Sequence, residues 1–136
     1  MQKNRTFNVD KNYLSYFFSL TGVSQIIEIF DKEKIEIQFV GGCVRDALME
    51  KKNFDIDFSI NCDPKTTIKV LSQNNIAVLE YGKMYGTITA VIQKNKFEIT
   101  SLREDQNQSG RYTDIIYTND WSKDARRRDF TFNAIY

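Results

Sequence analysis

Asp55 and Asp57 stand two apart in Phe54-Asp55-Ile56-Asp57-Phe58, and a short way upstream Gly41-Gly42-Cys43-Val44-Arg45 places two adjacent glycines before an arginine. In an extended chain successive side chains alternate sides, so both carboxylates share one face while Phe54, Ile56, Phe58 and Ile60 share the other. Two like charges so placed repel, and Asp is poorly suited to strands. A divalent cation would remove that repulsion; the commoner explanation of such alternation is a half-buried strand with a wet outer side. Gly41-Gly42 permits a tight turn into a helix reading from Val44 to Met49, whose first N–H groups lack internal partners and could receive a phosphate. Arg45 can hold phosphate oxygens through two N–H groups, or pair with Asp46 or another nearby carboxylate. A double glycine before a helix is, by itself, more often only a turn. Together the two stretches suggest an anion cradle beside a metal site, and so chemistry on nucleotides.

The elements that would position these groups can be read from hydrophobic period. Tyr13 through Ile29 carries apolar residues at helical spacing, with Thr21-Gly22 separating two helices and Asp31-Lys32-Glu33-Lys34 forming a polar turn. Ile35 to Val40 reads as a strand that delivers the chain to Gly41. After the Asp strand, Asp63 and Pro64 open a helix to about Asn74, with Asp63 as N-cap and Pro64 in the first turn. Ile76 to Leu79 is a short strand, Tyr81 to Gly86 a glycine-hinged turn, and Thr87–Ile92 with Lys96–Leu102 a hairpin across Gln93-Lys94-Asn95. Should this hairpin pair beside the Asp strand, Glu98 becomes a third carboxylate in the same place. Arg103 to Arg111 contains no apolar residue and reads as a mobile loop, a plausible lid. A last helix starts near Trp121. In it Asp129 and Asn133 share a face, as do Asp124 and Arg128, and a surface ion pair is the simplest account of Arg126-Arg127-Arg128.

Composition narrows the chemistry. The 136 residues suit one domain with its own core, and 19 Lys plus Arg against 18 Asp plus Glu leave no overall field to attract nucleic acid or membrane. The sequence has no His, which removes the Ser-His-Asp triad, Cys-His pairs and His-based zinc sites. Cys43 and Cys62 suit packing in a reducing compartment rather than a disulfide framework. No membrane span or secretory signal is apparent, so a cytoplasmic location is expected.

In order and spacing, Gly41-Gly42-Cys43-Val44-Arg45-Asp46 with Asp55-Ile56-Asp57, and then Arg127-Arg128-Asp129-Phe130-Thr131-Phe132-Asn133-Ala134, resemble the two signature motifs of the tRNA nucleotidyltransferase and bacterial poly(A) polymerase family, class II branch. Tyr85-Gly86-Thr87 and Phe97-Glu98-Ile99-Thr100 resemble further segments, and the likeness runs from about Ile35 to Tyr136. It implies an α+β fold, a polymerase-β-like nucleotidyltransferase head with a small mixed sheet of about five strands backed by helices on one side. It implies that Asp55, Asp57 and Glu98 hold two Mg2+ ions. Gly41, Gly42, Arg45, Arg128, Asp129 and Asn133 would bind the nucleotide, Asp129 accepting from sugar hydroxyls.

The same resemblance implies CTP and ATP as donors and a tRNA or other RNA 3′ end as acceptor, with CCA addition as the activity. Poly(A) addition shares every motif, and a non-catalytic nucleotide-binding domain needing a partner chain is the alternative of another class. The family's neck, body and tail have no counterpart in these residues, so positions 1–136 are expected to form a head domain alone. The Glu-Asp-x-x-Arg segment that selects the base in the family is also absent: Glu104-Asp105 is followed by Gln106, Asn107 and Gln108. Weak nucleotide binding with little preference between C and A follows.

Overall fold

The computed structural model describes residues 19–49, 56–105 and 115–126. Helix α1 (Val23–Lys32) starts after Gly22, whose φ of +101° suits glycine. A side chain there would also have its Cβ 3.0 Å from Ile92 and Phe97, so glycine serves both the turn and the close approach. Val23, Ile26, Ile29 and Phe30 form the buried stripe of α1. The helix runs through Asp31 and Lys32, which read as a turn in the sequence; their exposed side chains are compatible with either, and the backbone simply continues. Strand β1 (Ile37–Phe39), helix α2 (Gly42–Leu48) and strand β2 (Asp57–Ile60) follow.

Helix α3 (Pro64–Gln73) opens as its sequence predicts, with Pro64 in the first turn and the Asp63 carboxylate accepting the Thr66 N–H at 2.8 Å. Donation from Thr66 holds that carboxyl below its ordinary value of 3.8. Strand β3 (Ala77–Leu79), a 3-10 turn (Lys83–Tyr85) and the hairpin β4 (Thr87–Ile92) and β5 (Asn95–Ser101) come next. The hairpin turn is one residue shorter than expected. Asn95 pairs with Ile92, leaving Gln93-Lys94 as a two-residue loop with Gln93 at φ +55°, the left-handed geometry that such loops use.

The five strands lie in the order β1-β2-β5-β4-β3, with only the β2–β5 pair parallel. This is the small mixed sheet that the resemblance implies. Phe58, Ile60, Ile88, Ala90, Phe97 and Ile99 form one core with Val23, Ile26 and Phe30 of α1 and Val70 and Leu71 of α3, so the helices back one face. Phe58 stacks on Phe39 with ring centroids 4.9 Å apart. Each large apolar side chain so buried stabilises by roughly 1.5–3 kcal/mol. A one-residue slip of β2 would turn Phe58 and Ile60 out and Asp57 and Ser59 in, which makes its register strongly specified. The opposite face is less wet than the alternation suggested, since Ser59 and Thr89 are also buried.

Arg103–Asp105, expected in a mobile loop, is instead strand β6, paired with β7 (Ile115–Tyr117). Buried Leu102 anchors it: its N–H donates to Ile60 O and its carbonyl accepts from Thr118 N, both at 3.0 Å. A polar triplet is thus ordered by a distant partner strand that local sequence does not reveal. Helix α4 (Trp121–Arg126) follows. Its Asp124 is fully buried and accepts the Arg103 backbone N–H at 3.1 Å, a buried tie between α4 and β6, while Arg128, which shares its helix face in the sequence, lies outside the described residues. The expected helix before Thr21 and the remainder of the loop to Arg111 fall mainly outside the described residues.

Candidate active site

The end of β1 is tied to the start of β2 by a hydrogen bond from Val40 N to Asp57 O at 3.0 Å, which sets the Gly41 turn beside Asp57. Gly41 alone of the two glycines has a left-handed φ, +74°, and a Cβ there would meet nothing within 4 Å. Gly42 is the first residue of α2, so the helix begins two residues earlier than Val44, and Arg45 N already donates to Gly41 O at 3.0 Å. Cys43 packs beneath the turn, 1% exposed, its thiol 3.3 Å from Val40 O and 3.9 Å from Asp57 O. Burial pushes that thiol up from its ordinary value. Cys62 is half-buried with its Sγ 3.3 Å from Thr67 Oγ1, and its thiol is likewise raised by burial. Both cysteines are free and pack, as expected. Arg45 pairs with Asp46, Nε to Oδ1 at 3.0 Å, the second of the two roles open to it.

The parallel pairing of β2 with β5 puts Asp57 directly beside Glu98. On the other side of β5, Glu98 is paired with Thr89, which is paired in turn with Leu79, so Asp57, Glu98 and Thr89 form a row across the face away from the helices. The condition set on Glu98 is met. Neighbouring strands lie about 4.8 Å apart, close enough for the two carboxylates to act on one ion. Among the described residues no cluster reaches three potential metal ligands. Asp55, the other carboxylate of the pair read from sequence, and Arg128, Asp129 and Asn133 lie outside the described residues.

A cavity of about 370 Å³ opens over this row, lined by Ile56, Asp57, Tyr81, Thr89, Lys96 and Glu98. Tyr81, Thr89 and Lys96 were not picked out from sequence. The signal was present for two of them: Lys96 and Glu98 alternate onto one face of β5, and Thr89 faces them from the hairpin partner. Tyr81 follows the far edge strand, and nothing local marks it.

Residues 37–136 match the family model described as the Poly A polymerase head domain. The mitochondrial CCA tRNA nucleotidyltransferase 1 of Homo sapiens is 39% identical over 116 residues, which cover 85% of this chain and 27% of that protein. Among solved structures, the Bacillus stearothermophilus CCA-adding enzyme in complex with CTP aligns at a TM-score of 0.68 and 25% identity, over 81% of this chain and 25% of that one. An apo CCA-adding enzyme aligns at a TM-score of 0.75 and 21% identity, over 96% and 32%, a likeness of fold. This chain therefore spans about a quarter of the length of the curated relatives it matches.

Proposed function

This chain belongs to the Poly A polymerase head-domain family, and on that premise we propose that residues 1–136 form one catalytic head transferring nucleotides from CTP and ATP to the 3′ end of tRNA, completing CCA. The observation that carries the reading is the register of Asp57 with Glu98 on the open sheet face, next to the Gly41 turn. The similar human protein is named for that activity, and a similar bacterial enzyme is described with CTP.

Asp57 and Glu98, with Asp55, would hold two Mg2+ ions. The donor set fits: carboxylate oxygens are hard ligands, and adjacent anions in a solvent-facing row gain from a divalent cation. Bound there, the ions would lower the pKa of the acceptor hydroxyl and neutralise charge on the departing phosphates. The chain's own contribution is placement. A Cβ at Gly41 would meet nothing within 4 Å, so the turn is open to an incoming phosphate, and Gly42 starts the helix that follows it. Arg45, released from Asp46, would supply charge to the triphosphate, with Arg128, Asp129 and Asn133 holding phosphates and ribose. The 3′-hydroxyl oxygen forms a bond to the α-phosphorus as the bond to the bridging oxygen breaks, pyrophosphate leaves, and the hydroxyl proton passes to solvent.

A cytoplasmic location completes the reading and agrees with two free thiols; no helix among the described residues is long and apolar enough to cross a membrane. Poly(A) addition is the second reading, favoured by the family description itself. One assay separates them: labelled CTP and ATP offered to tRNA lacking its 3′ end. Addition that stops after C-C-A supports the proposal, a ladder from ATP alone supports poly(A) addition, and no incorporation removes both.

A further inference from the structure

We propose that Arg103 is a positioning residue with two ends: the helix leading to Arg128 and Asp129 holds its backbone, and its guanidinium holds the turn that walls the cavity over Asp57 and Glu98. The catalytic consequence rests on the nucleotidyl-transfer reading. At the backbone end, Asp124 of α4 accepts the Arg103 N–H at 3.1 Å, and Lys123 of the same helix pairs with Glu104 at 3.2 Å, so α4 is pinned to β6 at two successive residues. Shortly after α4 ends at Arg126 the sequence reaches Arg128, Asp129 and Asn133. At the side-chain end, Nη1 of Arg103 donates to the Tyr85 carbonyl at 3.1 Å. Tyr85 N and Thr87 N both donate to Gly82 O, at 2.9 and 3.1 Å, which closes the 3-10 turn into a unit next to Tyr81. Tyr81 is a wall of the cavity; Arg103 is not among the lining residues and acts through others.

The turn needs this outside hold. None of its three residues is buried, with Met84 72% and Tyr85 64% exposed, so burial contributes little to fixing it. The strand before it, β3, is a three-residue edge. What grips the turn comes from β5, β6 and β7. Ser101 N donates to Gly86 O at 2.9 Å, and the Tyr117 ring lies against Gly86, where a Cβ would be 3.2 Å from Cε1. Burial pushes the Tyr117 phenol up from 10.0 and the nearby Arg103 charge partly offsets this, which sets those two side chains together behind the turn. Of these contacts only the one from Arg103 is charge-assisted, and such bonds are roughly twice as strong as neutral ones. Losing it would let Tyr81 shift relative to Asp57 and Glu98, and small misplacements beside reacting groups are costly.

The test is hydrogen exchange read by mass spectrometry on the unmodified chain and three variants. Arg103→Met keeps the apolar stem without a donor, and should speed exchange across residues 81–87 about tenfold while leaving β5 unchanged. Arg103→Lys can still give one N–H to one carbonyl and should stay within about threefold of the unmodified chain. Gly86→Ala attacks the grip from the Tyr117 side and should speed exchange in the same segment. In incorporation from saturating CTP, Arg103→Met should be slower by about tenfold, while calorimetry finds CTP affinity within about twofold. A general loss of folded protein would not give that split. Unchanged exchange at 81–87 in Arg103→Met, faster exchange spread evenly over β5 and α3, or incorporation at the unmodified rate would each overturn the assignment. No incorporation by the unmodified chain removes nucleotidyl transfer, and hydrogen exchange then decides by itself whether Arg103 holds the turn.

Discussion

Gly41→Ala separates backbone strain from steric fit and from function. At φ +74° an alanine pays the left-handed penalty, roughly 1–2 kcal/mol, but its Cβ would meet nothing within 4 Å, so no repacking is added. Gly22→Ala makes the instructive comparison. Its φ of +101° carries similar strain, and its Cβ would also sit 3.0 Å from Ile92 and Phe97, adding an overpacking cost of roughly 1–3 kcal/mol. Urea denaturation should therefore show Gly41→Ala losing roughly 1–2 kcal/mol and Gly22→Ala roughly 2–5 kcal/mol. Nucleotide binding should rank the other way. The open space before Gly41 is where phosphates would approach the backbone, so a methyl group there should weaken CTP binding by about tenfold or more in calorimetry, while Gly22→Ala leaves it nearly intact where folded. Equal stability losses would refute the steric reasoning. Undiminished CTP binding by Gly41→Ala would refute the placement of the triphosphate.

Metal binding can be read without activity: 10 mM Mg2+ should raise the melting temperature of this chain by several degrees if its Kd is about 1 mM, and Asp57→Asn or Glu98→Gln should largely remove that shift. An undiminished shift in both variants would place the metal elsewhere. Calorimetry should find CTP and ATP bound with affinities within roughly threefold, since the base-reading Glu-Asp-x-x-Arg segment is absent; a strong preference would contradict this. Asp63→Ala should cost about 1 kcal/mol near pH 6 through loss of the α3 cap. Because the folded carboxyl lies below 3.8, that difference is complete above this value and shrinks as pH falls through the folded one, which denaturation at pH 6 and pH 2.5 would check. Asp124→Ala should destabilise by roughly 1–3 kcal/mol by stranding the Arg103 N–H, with Asp124→Asn costing less; equal losses would mean that the hydrogen bond at 3.1 Å is not what matters.

Much of the site was legible because its signals are local. The face shared by Asp57 follows from the period of a strand, the Asp63-Pro64 helix start from capping chemistry, and the Gly41 turn from the freedom of glycine. The misreadings were non-local. Arg103–Asp105 has no apolar residue, so nothing in it betrays a strand whose partner is Ile115–Tyr117. Nor does helical spacing mark Asp124 as buried, because burial depends on what packs over a helix. Tyr81 entered the site only because the edge strand β3 ends beside Thr89.

By itself the sequence determined which side chains share a face, where α3 starts, and that these 136 residues bring no His to the chemistry, since each depends on residue type and short-range geometry. Only the tertiary structure decided that β5 lies parallel to β2 and in the register that sets Glu98 beside Asp57. A parallel pair has no turn to fix its register; burial of Phe58, Ile60, Phe97 and Ile99 against α1 and α3 does so, and the carboxylates on the opposite face are aligned as a consequence.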